Sequence, residues 1–237
     1  MAYGNHFLDT LEPDDAAALH PHLRRVEVEA GRVLIEQDSD IPEVHFPADA
    51  QLANLERFPD GWAIQTALIG REGLSGLAPF MAGLPCGWEV AVRTPGTIWV
   101  MPAKVLFERF LVSAPLLMKL CRLSYIYQMQ AAQHAACNAL HAALPRVARW
   151  LLTAADLTPG EPIRFTQEEL AGLLGAQRTT INETANQLKD RGAIRHSRGV
   201  VRILDRGLLE RLACDCYAME RGRIEGAGVM PEARPEG

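Results

Sequence analysis

The chain has 237 residues, 48% of them hydrophobic and 22% charged, with a formal net charge of -5. That is enough apolar material for one large domain or two small ones, and too much for an intrinsically disordered chain. No apolar run reaches the length of a membrane span, no secretory leader pattern opens the sequence, and five irregularly spaced cysteines make no disulfide framework, so the expected location is the reducing cytoplasm, with no membrane partner.

Residues 5 to 23 read as short helical pieces. Phe7, Leu8, Leu11 and Leu19 are their apolar positions, and Pro13 with Asp14 and Asp15 marks a helix start. From Arg24 to Met101 the signature changes. Val26 and Val28 alternate with Glu27 and Glu29, Ala30 and Gly31 turn the chain, and Val33 to Ile35 is a short strand. Pro42, Pro47, Pro59, Gly70, Gly73, Pro95 and Gly96 punctuate the remainder. Short strands between such breaks predict an all-β roll or barrel.

From Lys104 to about Leu144 the pattern is helical, with a break at Ala114 and Pro115. Leu116, Leu120, Leu123, Tyr127, Gln130, His134 and Cys137 then follow a 4-3-4-3 spacing. Two readings fit a short heptad stripe. It is the seam of a parallel coiled-coil dimer, or the packing face of an amphipathic helix on its own β domain. His134, Cys137 and His141 lie on one face of this helix, where a metal or redox site competes with simple packing.

A further helix spans about Pro145 to Thr158, with Val147, Trp150, Leu151 and Ala154 apolar. The loop Pro159 to Pro162 and the short strand Ile163 to Phe165 follow. Thr166 and Glu169 then have capping-box spacing, and Leu170, Leu173 and Leu174 form a helical stripe. Gly175 stops that helix. A second begins near Gln177, with Ile181, Ala185 and Leu188 on its buried face. The opposite face carries Gln177, Arg178, Thr179, Asn182 and Asn186. These side-chain types read base edges: Arg pairs with guanine, Asn or Gln with adenine, and a Thr methyl meets thymine. A helix-turn-helix places the N-terminal residues of its second helix in the major groove.

Arg191 and Gly192 end the second helix. Residues 193–204 read as a hairpin turning at Ser197, Arg198 and Gly199, a wing that carries Arg195, His196, Arg198 and Arg202. Asp205 caps a last helix from Arg206 to about Met219, and the tail 221–237, rich in Gly, Glu, Pro and Arg, is expected to be disordered. Charge follows this division. Residues 161–207 hold eight Lys/Arg against six Asp/Glu, whereas residues 1–160 hold twelve against seventeen. Only the C-terminal part is electrostatically suited to phosphate. No nucleophile–base pair or phosphate loop points to an enzyme.

A β roll, a long central helix and a winged helix-turn-helix, in that order, resemble the Crp/Fnr family of bacterial transcription regulators. The segment from Ala30 to Asp40 is similar to the opening glycine-containing hairpin of that family's cyclic-nucleotide-binding-like domain. The implied fold is α+β: a sensory roll at 1–103, central dimerisation helices at 104–144 and a winged helix-turn-helix at 145–220. The implied function is transcription regulation by a homodimer on a pseudo-palindromic double-stranded DNA site, with RNA polymerase a further partner. Gln177, Arg178 and Thr180 fall on the family's base-reading and adjoining positions, while Thr179 stands where a Glu is common. Together, Gln177, Arg178, Thr179 and Asn182 are expected to read bases. Thr166, Thr180, Lys189, Arg195, Arg198 and Arg202 are expected to hold the DNA backbone. Leu116, Leu120, Leu123, Tyr127, Gln130 and His134 are the dimer-interface candidates. The alternative is a small-molecule-binding signalling module that uses its helix-turn-helix, with Glu183 exposed among the readers, for protein contacts.

The resemblance also tests cofactors. In members that bind cyclic AMP, a Gly-Glu pair and an Arg-Ser or Arg-Thr pair flank a short helix. The matching region here is Gly70 to Val92, where the Arg position falls near Cys86 and Gly87 and the Glu position near Ser75 and Gly76. Arg71 and Glu72 lie close by. Burying a cyclic phosphate without a counter-charge costs several kcal/mol, so no cyclic AMP is expected. No Cys precedes Cys86, which removes the family's N-terminal iron–sulfur ligands. His6, His20, His22 and His45 are haem candidates by residue type alone, and no haem is expected. Cys214 and Cys216 are too close and too solitary for a zinc site, which wants four ligands. No metal is expected, and the effector is left open. Trp62, Trp88, Trp99 and Trp150 read as core or pocket walls.

Overall fold

Asn5 shows how the N-terminus is fastened. Its Oδ1 accepts from the Leu8 N–H and caps α1 (His6–Asp9), while its Nδ2 donates to the carbonyls of Pro47 and Gly73 at 2.8 and 2.9 Å. In this computed structural model, residues 2–59, 63–157, 162–165, 167–197 and 199–226 are described. α2 (Pro13–Leu19) starts on Pro13, as its sequence predicts.

The roll follows. β1 (Arg24–Val28), β2 (Val33–Ile35), β3 (Glu43–Pro47), β4 (Gln51–Arg57) and β5 (Ala63–Ile69) lead to α3 (Leu77–Ala82), β6 (Glu89–Thr94) and β7 (Gly96–Pro102). They form two antiparallel sheets, ordered β1-β7-β3 and β2-β6-β4-β5. Val28, Ile35, Leu52, Ile69, Val90, Val92, Ile98 and Val100 fill the core between them. Sealing both inner faces with alternating aliphatic side chains is what makes such a roll stable.

α4 (Ala103–Val112) and α5 (Ala114–Leu140) meet at an angle of 115°. Ser113 makes the corner: its Oγ caps α5 by accepting from the Leu116 N–H and donates to Asp15 Oδ2 at 2.9 Å. Asp15, buried, also takes Arg109 Nε at 2.6 Å, so one carboxylate ties α2 to both helices.

The expected dimer seam lies inside the protomer. Leu116, Leu120 and Leu123 are at most 1% exposed and pack with Phe7, Leu19, Phe46, Leu106 and Phe110. Tyr127 packs on the roll, His134 turns toward Glu220, and Gln130 is half-buried. This corrects the coiled-coil reading of Leu116, Leu120, Leu123 and Tyr127, whose side chains are taken up within the protomer. A heptad stripe is satisfied as well by the chain's own elements as by a second helix, and here the N-terminal helices, α4 and the roll cover Leu116 to Tyr127, while Gln130 and His134 stand near the C-terminal helix that carries Glu220. The face of α5 left to solvent is a different one, with Met118 and Tyr125 53% and 59% exposed.

The C-terminal part comprises α6 (Ala143–Leu157), β8 (Ile163–Arg164), α7 (Gln167–Leu174), α8 (Arg178–Asp190), β9 (Ile194–Ser197), β10 (Val200–Ile203), α9 (Arg206–Leu212) and α10 (Cys216–Gly226). Leu151, Leu152, Leu170, Leu174, Ile181, Leu188, Val201 and Leu209 form its core. Trp150 and Phe165 meet edge to face at 5.2 Å. The single last helix expected from Arg206 to Met219 is in fact two, broken around Ala213 to Asp215. The second runs on to Gly226, so residues 221–226 are helical rather than part of a disordered tail. Arg223 donates to Gln133 of α5 at 2.9 Å and helps hold that end. Thr166, Arg198, Trp62, the loop 158–161 and the tail 227–237 lie outside the described residues.

Candidate nucleic-acid interface

α7 and α8 join through Gly175, whose φ of +55° lies in the left-handed region that favours glycine. The Ala176 N–H closes the turn on the Ala171 carbonyl at 3.0 Å. Leu170 and Leu174 of α7 and Ile181, Ala185 and Leu188 of α8 are buried. With that stripe inward, α8 has one outward orientation. Gln177 is its N-cap residue and makes no side-chain cap bond. Gln177, Arg178, Thr179 and Asn182 are all exposed, as are Glu183 and Asn186. The four proposed readers therefore lie within the first two turns of one solvent face. Thr180 is half-buried, while Lys189 is exposed near the far end of the helix.

β9 and β10 form the wing, with β8 on the other side of β10. Gly199 turns the hairpin at φ +76°, and a Cβ there would stand 2.9 Å from the Phe165 carbonyl oxygen. Arg195 and Arg202 are directly opposite in the register, and both are exposed. Like charges facing each other across a strand pair are destabilising in the free protein. An anion between them removes the penalty, so this is an arrangement suited to a phosphate.

The roll places the residues of the segment compared above with the family's nucleotide cassette. Cys86 and Ser75, near the two positions where the charged pair would stand, are both fully buried. Ser75 Oγ lies 2.9 Å from His45 Nδ1. Arg71 points to solvent, whereas Glu72 is buried, with Oε1 accepting from the Gly70 N–H at 2.8 Å and its carboxyl pushed upward by burial. Tyr127 of α5 presses on Gly73, where a Cβ would collide with its hydroxyl. Trp88 and Trp99 are partly buried, and Trp99 donates to the Tyr3 carbonyl at 2.8 Å. Of the haem candidates, His45 is buried, whereas His6, His20 and His22 stand at or near the surface.

Burial lowers His45 to about 4, while the unfolded chain titrates near 6.5. Between those values the unfolded state binds the extra proton, so stability is present above 6.5 and is lost as the pH falls toward 4. Denaturant melts at pH 7 and pH 4 should differ by about 3 kcal/mol more in the wild type than in His45→Gln. Equal pH dependence in the two proteins removes His45 as the cause.

The long helix ends in a cluster of which the sequence disclosed only the α5 half, Cys137 and His141. Cys137 and His141, one turn apart, meet Cys214 from the break between α9 and α10 and Cys216 at the start of α10. The expectation that Cys214 and Cys216 stand alone is thereby corrected. Their sequence distance from α5 hid the partners. His134, on the same face one turn before Cys137, is not part of the cluster and lies 3.7 Å from Glu220. Burial and the adjacent Cys137 push the Cys214 thiol up to about 12.

Fold and site together define a class: an antiparallel roll joined by a long helix to a winged helix-turn-helix. Residues 145–212 match the Crp-like helix-turn-helix domain family, and this part of the chain is such a domain. The whole chain has the fold of Crp/Fnr regulators. It superposes on FixK2 from Bradyrhizobium japonicum with a TM-score of 0.71 and 15% identity, covering 81% of this chain and 98% of that one. A CRP/FNR-family transcriptional regulator from Thermus thermophilus gives 0.67 and 21%, covering 80% and 98%. The c-di-GMP-responsive global regulator CLP of Xanthomonas campestris gives 0.63 and 15%, covering 81% and 99%. No curated protein sequence matches. Among the described residues no single helix is long and apolar enough to cross a membrane.

Proposed function

We propose that the protein is a sequence-specific transcription regulator that binds a pseudo-palindromic DNA site as a homodimer and is not controlled by cyclic AMP. The exposed polar face at the start of α8, in the same domain as the exposed, opposed pair Arg195 and Arg202, carries this reading. Gln177, Arg178, Thr179 and Asn182 read base edges. Thr166, Thr180, Lys189, Arg195, Arg198 and Arg202 fix the register on phosphates, a role that carries no sequence information. RNA polymerase is the further partner of such a regulator, and the reading assigns no enzymatic step.

The dimer forms through the outer face of α5. Met118, Cys121, Tyr125, Gln128 and Ala132 recur there at 3-4-3-4 spacing, and all five stand at least partly open to solvent. Two such helices side by side satisfy the heptad requirement that the inner stripe spends on the roll. The buried, uncharged Cys86 and Ser75 and the outward-pointing Arg71 support independence from cyclic AMP.

Selection of genomic fragments by the full chain, with and without cyclic AMP, tests the whole reading. The expected result is a two-fold symmetric motif with half-sites about one helical turn apart, enriched equally in both arms. Tyr125→Asp should sediment as a monomer and lose the two-fold symmetric enrichment. Enrichment only with cyclic AMP overturns the effector assignment. No enrichment in either arm moves the helix-turn-helix to protein contacts.

A further inference from the structure

The cluster at the end of α5 plays no part in DNA reading. Cys137 Sγ lies 3.5 Å from Cys214 Sγ, and Cys216 Sγ lies 3.6 Å from His141 Nδ1. The four ligand atoms are all within 4.8 Å of one another. Zinc–sulfur bonds of about 2.3 Å and zinc–nitrogen bonds of about 2.0–2.1 Å put the edges of a tetrahedron near 3.8 Å between sulfurs and 3.6 Å between sulfur and nitrogen. The two separations match those edges closely. With all four atoms within 4.8 Å of one another, the set has the span of a single ion's ligands rather than of a multi-iron cluster with a thiolate on each iron.

We propose that Cys137, His141, Cys214 and Cys216 form a closed, structural Cys3His site for zinc. Three thiolates and an imidazole are a soft donor set with a tetrahedral preference, which selects zinc over magnesium or calcium. Four protein ligands leave no open position for water, so the site is not catalytic.

Its surroundings fit the assignment. Gln133 Nε2 donates to Cys216 Sγ at 3.0 Å, the kind of outer hydrogen bond that orients a metal thiolate. The Cys137 and Cys216 side chains are buried, which shields the bonds from exchange. A surface cleft of about 340 Å³, lined by Cys214, Asp215, Ala218 and Arg221 among others, opens beside the cluster and provides an entry path. The break between α9 and α10 also finds its reason here: an unbroken helix would not bring residues 214 and 216 onto α5 in this way.

The consequence is mechanical. Two ligands belong to the end of the helix that carries the proposed dimer face, and two belong to the element that closes the reader domain. Zinc therefore pins the reader domain to the central helix.

Metal analysis of the full chain, purified without chelator, should read about one zinc per chain. Exchange for cobalt(II) should produce the intense visible bands and sulfur charge transfer of a tetrahedral thiolate site. Cys214→Ser and His141→Ala should lose both signals, whereas Cys86→Ala, in the roll, keeps them. The wild-type measurement stands even if a variant fails to fold. Wild type that binds neither zinc nor cobalt overturns the proposal, as does iron in place of zinc or a Cys137–Cys214 disulfide found by mass. The readout involves no DNA, so its failure leaves the regulator reading untouched.

Discussion

Replacing Arg149 with methionine is expected to lower the unfolding free energy by about 3–5 kcal/mol. Arg149 of α6 is 2% exposed, and its Nη1 lies 3.0 Å from Glu220 Oε2 on α10. Burial alone would raise the Glu220 carboxyl, but His134 and Arg149 outweigh it and hold the group low, hence ionised at neutral pH. His134 of α5 stands at 3.7 Å, within ion-pair reach but beyond the length of the guanidinium's 3.0 Å contact, so it supports the carboxylate without filling the place of Arg149. Methionine fills the volume and takes the guanidinium from a buried carboxylate, leaving it His134 and Gln130, which is why the cost exceeds that of a surface pair. Adding Glu220→Leu to Arg149→Met should restore most of the loss, because the stranded charge is then gone. Urea melts of the wild type, Arg149→Met, Glu220→Leu and the double variant decide the matter. A single-variant loss below about 1 kcal/mol would mean that the pair is hydrated and energetically idle. The three residues come from α5, α6 and α10, so this ion cluster and the cysteine cluster act on the same junction.

The second large effect is on recognition. Arg178→Ala should weaken binding to the selected site by about 1–3 kcal/mol and relax preference at one base position per half-site. Arg195→Gln should instead weaken all sequences alike and reduce the salt slope by about 1, because it releases a phosphate rather than a base. Fluorescence anisotropy across a salt series separates the two. Unchanged cognate affinity in Arg178→Ala would remove that residue from the readers and leave Gln177 and Asn182 to carry specificity.

Much of the C-terminal domain was legible in the sequence because its signals are local. The stripe of Leu170, Leu173 and Leu174, the stop at Gly175 and the buried Ile181, Ala185 and Leu188 each depend on neighbours within a few residues. Strands broken at Pro and Gly announced the roll for the same reason. The stripe on α5 was legible as a stripe, yet not its partner. Leu116, Leu120 and Leu123 would look the same facing a second copy or the chain's own Phe7 and Phe46.

Sequence by itself determined the order of roll, long helix and winged helix-turn-helix, and the face of α8 that remains exposed. Helical period and glycine conformation act over a few residues, so no distant information was needed. Only the tertiary structure decided which face of α5 is covered, where Glu220 finds Arg149, and that Cys137 and His141 meet Cys214 and Cys216. Those contacts close loops of more than seventy residues in the chain, and no local preference records which distant side chain will be there. Packing the roll on one side of α5 and the reader domain at its end creates each of them.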